Sequence, residues 1–192
     1  MIRTGIFGGS FNPIHNGHLM LANYLVEYGG ISELWFVVSP QNPFKQKLSL
    51  LPDYQRLELV HRAIDGFDKF RACDVEFNMP KPSYTIDTLT YLSEKYPKRE
   101  FYLIMGSDNV ANFPRWKNAD QILANYHIIV FPRKDCAVGE LANHPNVEIV
   151  ETPIIEISST FIRESIAARK DVRFYMPPKV WEYVDEMNFY KR

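Results

Sequence analysis

Short runs of β-branched and aromatic residues alternate along this chain with stretches of helical period, and that alternation restricts the fold more than any other property of the sequence. Strands are expected at 2–7, 34–38, 70–77, 101–105, 128–131 and 147–150. Helices are expected between most of them. The first starts at Gly17 or His18, carries Leu19, Ala22, Leu25 and Val26 as an apolar stripe, and stops at Gly29-Gly30; others follow at 53–64, 85–95 and 119–124. Such alternation predicts an α/β fold: a doubly wound, mostly parallel sheet with helices on both faces and a ligand crevice beyond the carboxyl ends of the strands. Beyond the last strand the pattern is helical, at 161–168 and again at 179–187 after Pro177-Pro178, which predicts a C-terminal helical tail packed on the sheet. A chain of 192 residues with 46% hydrophobic content suits one domain over 1–192.

Charge and composition narrow the partners. A formal net charge of -1 argues against the broad positive footprint of a nucleic-acid binder, so an anionic ligand must meet a local cluster of cations. The two cysteines, Cys73 and Cys136, lack CxxC spacing and predict buried reduced thiols rather than a disulfide framework or a cysteine zinc site. Nowhere do eighteen apolar residues run together, and the first residues lack a leader-like apolar core; no membrane association and a cytoplasmic location are expected.

The segment Gly8-Gly9-Ser10-Phe11-Asn12-Pro13-Ile14-His15-Asn16-Gly17-His18-Leu19 occupies the passage from first strand to first helix. It matches neither GxGxxG nor a phosphate loop ending in Gly-Lys-Ser/Thr. His15 and His18 lie three residues apart, and Gly17 between them lets a backbone N–H approach a ligand with no side chain in the way. Both imidazoles could face one anion at a helix N-terminus. A single histidine is usually structural, and two beside glycines at a strand end leave the structural and functional readings both open. A zinc site would need ligands that no HExxH pattern or cysteine pair supplies. A second cluster, Ile157-Ser158-Ser159-Thr160-Phe161-Ile162-Arg163, puts hydroxyls before a helix and Arg163 one turn inside it. It reads either as an ordinary cap with a solvated arginine or as a phosphate site.

Together, GGSFNPIHNGHL and ISSTFIR resemble the nucleotidylyltransferase superfamily, in which an HxGH loop and a C-terminal SSTxIR segment bind ATP. Pro82-Ser83-Tyr84-Thr85-Ile86-Asp87-Thr88-Leu89, Gly106-Ser107-Asp108 and Trp116 resemble, more narrowly, the bacterial nicotinate mononucleotide adenylyltransferases. The resemblance runs from Ile2 to the tail. It implies a Rossmann-like fold and transfer of AMP from ATP to nicotinate mononucleotide in NAD biosynthesis, releasing pyrophosphate, with ATP and that mononucleotide as partners. It implies catalytic roles for His15, His18, Lys45 and Arg163, with His18 on the α-phosphate. ATP contacts fall at Gly8, Gly9, Ser10, Phe11, Gly17, His18, Arg133, Ser159, Thr160 and Arg163. Acceptor contacts fall at Thr85, Gly106, Asp108, Trp116 and Lys117: Trp116 stacks on the pyridine ring, N–H groups of Thr85 and Lys117 hold the carboxylate, and Asp108 meets a ribose hydroxyl. Mg²⁺ is expected as cofactor, bound through ATP oxygens and water rather than protein ligands. A strong preference for nicotinate over nicotinamide follows from SYTIDTL and Trp116, and a homo-oligomer is left open.

The chain departs from the pattern at three places. Asn12 stands where the family often has Asp, which is tolerable because both accept through a side-chain oxygen. Phe44 replaces a histidine before the loop lysine, and Lys134-Asp135 replaces the usual Pro-Gly after Arg133. On the residues alone, Trp116 could equally be a core or lid aromatic, Thr85 a helix N-cap, and Asp108 a turn cap.

Overall fold

Burial on both sides of a strand dictates where it must lie. In β2 (Glu33–Val38) every residue from Leu34 to Val38 is at most 1% exposed, which only an interior strand covered on both faces permits. The computed structural model describes residues 1–40 and 50–191. Among these, β1 (Ile2–Gly9), β2, β3 (Phe70–Cys73), β4 (Arg99–Gly106), β5 (His127–Phe131) and β6 (Val147–Ile149) form a six-stranded sheet in the order β3-β2-β1-β4-β5-β6. Every pairing is parallel, so the expected mostly parallel sheet is parallel throughout.

Period-two alternation sorts the strand residues into two cores. Phe7, Leu34, Phe36, Val38, Ile104 and Ile129 face one side, where α1 (Asn16–Tyr28), α2 (Asp53–Ile64), α6 (Ser159–Ala167) and α7 (Pro178–Glu186) contribute Leu25, Leu59, Ile162 and Val184. Ile6, Trp35, Val37, Leu103, Met105 and Val130 face the other, against Leu89 of α3 (Thr85–Lys95) and Ile122 of α5 (Ala119–Asn125). Each wholly buried side chain of this kind contributes roughly 1.5–3 kcal/mol. The helical tail therefore closes the first core, as its Val180 and Val184 spacing predicts. Strand order reverses between β1 and β4, and the crevice such a sheet offers a ligand opens there, at the end that carries the glycine loop.

Local boundaries differ from the sequence expectation at identifiable points. The third strand ends at Cys73, and Val75–Asn78 is a 3₁₀ turn, because Glu76 turns inward to accept from Ser83 Oγ (2.6 Å) and Thr88 Oγ1 (2.8 Å). A short helix, α4 (Ser107–Val110), and a 3₁₀ turn at Phe113–Arg115 occupy a stretch with too few residues to show a period. Helix α6 starts at Ser159, two residues before the expected start, since Ser158 is the N-cap and its Oγ accepts from the Phe161 N–H at 3.1 Å. Both cysteines are free thiols, Cys73 buried and Cys136 half-buried. Among the described residues no helix is long and apolar enough to cross a membrane.

Candidate active site

The mouth of the crevice is built from the loop after β1. A Cβ at Gly8 would meet nothing within 4 Å, so an interior strand presents open space at its carboxyl end. Gly9 differs: a Cβ there would lie 2.9 Å from the Phe11 ring, which passes directly over the backbone. Phe11 itself holds φ 45°, a left-handed conformation costing a residue with a Cβ roughly 1–2 kcal/mol. Its ring offsets that cost, being 2% exposed and edge-on to Phe7 (5.8 Å) and Phe36 (5.5 Å).

His15 is the N-cap of α1 and His18 its third residue. The two rings stack with centroids 3.7 Å apart and 24° between planes. The His15 N–H donates to His18 Nδ1 at 3.2 Å, which leaves the His18 ring proton on Nε2 and makes that atom a donor. His15 is only 4% exposed, and its Nδ1 is buried with no well-formed hydrogen bond among the described residues. Burial, with the Arg133 charge adding to it, pulls the His15 pKa from 6.5 down to about 4, so at neutral pH this imidazole is uncharged. Gly17 keeps this corner uncrowded: a Cβ would come within 3.1 Å of the His15 ring and 3.3 Å of Ile157 Cβ, so one of them would have to give way by a few tenths of an ångström.

The second cluster meets the first directly. Ser159 Oγ donates to the Pro13 carbonyl at 2.9 Å, Arg163 Nη1 to the Asn12 carbonyl at 2.9 Å, and Arg163 Nη2 to Thr160 Oγ1 at 3.3 Å. Two helix N-termini, α1 and α6, are thereby fixed side by side at one mouth, with their unpaired N–H groups and positive dipole ends. Arg163 is thus no solvated surface cation. Asn12 Oδ1 accepts from the Leu51 N–H (3.3 Å) and the Tyr190 hydroxyl (2.8 Å), a job an Asp oxygen would do equally, which accounts for Asn at this position. Burial raises the Tyr190 pKa, so the phenol remains a donor.

Toward β5, Arg133 lies over the Phe131 ring at 5.3 Å, its N–H donates to Ser107 Oγ at 2.8 Å, and its Nε stands 3.9 Å from Asp108 Oδ1. A Cβ on Gly106 would collide with Asp108 Oδ1, so glycine is what lets that carboxylate fold back over the strand end. The N-cap of α3 is Tyr84, not Thr85; Thr85 is the first helical residue, which leaves its N–H among those without an intrahelical acceptor. Lys117 Nζ pairs with Asp87 Oδ2 at 2.8 Å and lies 4.8 Å from the Tyr84 ring centre, linking Trp116's neighbour to the start of α3. Trp116 is half-buried against Phe113 at 5.5 Å, on the second core. Lys45 lies outside the described residues.

Sequence reasoning missed Arg56. It is fully buried in α2 and bonds to the backbone of three loop segments, although its place in the stripe 56, 59, 60 with buried Leu59 and Val60 marked it as inward-facing. It also missed Glu76, which sat inside an expected strand.

A switch-point crevice flanked by two helix N-termini, two imidazoles and an arginine makes this an α/β protein with the donors and cations an anionic ligand needs. The family model described as cytidylyltransferase-like matches residues 6–165, and the chain belongs to that family. Its nearer relatives are nicotinate-nucleotide adenylyltransferases. A protein of Flavobacterium psychrophilum curated as a probable nicotinate-nucleotide adenylyltransferase is 47% identical, covering 100% of both chains. One of Bacteroides fragilis with the same description is 52% identical over 95% of this chain and 90% of its own. The solved Plasmodium falciparum nicotinic acid mononucleotide adenylyltransferase complexed with NaAD shares the fold, with a TM-score of 0.84 at 24% identity over 99% of this chain and 98% of its own.

Proposed function

We propose that this protein transfers AMP from ATP to nicotinate mononucleotide, giving nicotinate adenine dinucleotide and pyrophosphate. The observation that carries the reading is the clamp: Ser159 and Arg163 bonded to the Pro13 and Asn12 carbonyls, so that α1 and α6 aim their N-termini at one polyphosphate. The names of the curated relatives supply the acceptor, and the Plasmodium enzyme's complex with NaAD agrees with it.

The acceptor phosphate is ionised near neutral pH and needs no base. Its oxygen attacks the α-phosphorus, one P–O bond forms, the bond from that phosphorus to the bridging oxygen breaks, and the electron pair leaves with pyrophosphate. What remains for the protein is alignment of anions and stabilisation of the leaving charge. His18 Nε2–H donates to the α-phosphate; neutral His15 serves the adjacent phosphates as a donor. The N–H groups of Ser159 and Thr160, with Arg163 and Lys45, hold the β- and γ-phosphates, and the side-chain-free Gly8 leaves room for them. Arg133 borders the adenosine. On the acceptor side, Trp116 stacks on the pyridine, the Thr85 and Lys117 N–H groups hold the carboxylate, and Asp108, folded over Gly106, accepts from a ribose hydroxyl.

Nucleotidyltransferases generally use divalent metal ions. Among the described residues no three His, Cys, Asp or Glu side chains are grouped to hold one, and the donors at the mouth are N–H groups and cations. That set suits Mg²⁺ carried on the phosphates with its waters, where it would neutralise charge on the leaving pyrophosphate. The test is pyrophosphate release with ATP, Mg²⁺ and either mononucleotide: kcat/KM for the nicotinate form should exceed that for the nicotinamide form at least tenfold, and absence of turnover with nicotinate mononucleotide refutes the reading.

A further inference from the structure

We propose that Arg56 is a positioning residue of the nucleotide site, setting the conformation of the loop that carries the phosphate-facing N–H groups; the inference rests on the adenylyltransferase reading above.

A guanidinium has five N–H donors, and all five are used here by a side chain that is 0% exposed. Nε donates to the Leu51 carbonyl (2.9 Å), Nη1 to the carbonyls of Ser10 (2.6 Å) and Ser39 (2.8 Å), and Nη2 to the Pro40 carbonyl (3.3 Å) and Asp53 Oδ1 (2.8 Å). Four of the five acceptors are backbone carbonyls from chain segments that follow β1 and β2 or precede α2. An ordinary buried ion pair needs one carboxylate; this group instead joins the ends of two strands to a helix.

The shortest bond falls at the loop's critical residue. The Ser10–Phe11 peptide is trans, so a Ser10 carbonyl drawn toward α2 turns the Phe11 N–H the opposite way. Phe11 is also the residue held at φ 45°, and its ring lies 5.2 Å from His18. A strained conformation persists only where its surroundings fix it from both sides. Arg56 holds Ser10 on one side, and Arg163 with Tyr190 and Leu51 holds Asn12 on the other. Arg56 touches no phosphate in this account; it acts through the Ser10–Phe11 peptide and the His18 ring packed on it.

Lysine has three donors and no planar fork, so Arg56→Lys keeps the charge and loses the geometry. Its steady-state kinetics should be measured below its melting temperature, with the folded fraction taken from circular dichroism. We expect kcat to fall roughly 10- to 100-fold per folded molecule, with KM for nicotinate mononucleotide changed less than about threefold. A residue that only stabilises the fold would lower the folded fraction and leave kcat per folded molecule as in the parent, and that result overturns the proposal. If Arg56→Lys does not fold under those conditions, it is assayed with a stabilising osmolyte such as TMAO, beside the parent in the same buffer. The same loss of kcat per folded molecule then supports the proposal, and an unchanged kcat overturns it. Parent enzyme without turnover would instead sink the adenylyltransferase reading.

Discussion

Stability of this protein should fall as pH drops through the range in which an exposed histidine would titrate, and His15 should account for a defined part of that fall. Its folded pKa is about 4 against 6.5 for the ordinary side chain, because the imidazole is buried at the start of α1 beside the Arg133 charge. The sign is set by proton counting. Between these two values the unfolded chain binds the extra proton, so stability is fully present above about pH 6.5 and is lost as pH falls toward about 4. Integration gives a loss of about 2 kcal/mol at about pH 5, approaching about 3 kcal/mol below pH 4. Urea unfolding of the parent and of His15→Gln, at pH steps from about 7.5 to about 5, isolates the term, since other titrating groups are common to both chains. The parent's unfolding free energy should drop about 2 kcal/mol more than the variant's over that span. Parallel curves would refute the burial argument. Bound polyphosphate, placing negative charge beside the ring, should raise the His15 pKa and shrink the difference.

His18→Ala should lower kcat by roughly two to three orders of magnitude, since it removes a donor to charge that develops in the transition state; steady-state kinetics at saturating substrates check it, and an unchanged kcat removes His18 from that role. Gly8→Leu should leave the melting temperature within a few degrees, because its Cβ meets nothing within 4 Å, yet raise KM for ATP more than about tenfold by filling the mouth. Normal ATP kinetics in that variant would place the nucleotide elsewhere. Trp116→Ala should weaken the mononucleotide by roughly tenfold with little effect on ATP, measured by titration calorimetry; equal losses for both ligands would make Trp116 a core residue only.

Much of this was legible before the structure, and the reasons differ by residue. Apolar runs such as Leu34–Val38 alternate with stretches of helical period, so the strands and the mostly parallel class followed from that alternation. The clamp joins residues 146 and 151 positions apart, which no local pattern reveals; its two halves were each readable as anion sites because hydroxyls, glycines and an arginine at helix starts are unusual together. What escaped was determined by tertiary surroundings. Glu76 looked like a strand residue because an isolated carboxylate gives no sign that Ser83 and Thr88 will meet it. His15 carried no hint of its depressed pKa, which arises first from burial of the ring and then from the Arg133 charge at the end of a different strand. Arg56 did leave a trace, as a charged residue on an apolar stripe beside Leu59 and Val60, and such a residue is worth treating as buried machinery from the outset.

The central claim is that AMP, and no other part of ATP, passes to the acceptor within the clamp formed by α1 and α6. Parallel reactions with ATP labelled at the α-phosphate or at the γ-phosphate, resolved chromatographically with nicotinate mononucleotide and Mg²⁺, test it directly. The α label should appear in nicotinate adenine dinucleotide and the γ label in pyrophosphate, both abolished by Arg163→Met. An α label that stays out of the dinucleotide, or a γ label found on the mononucleotide, would contradict the account.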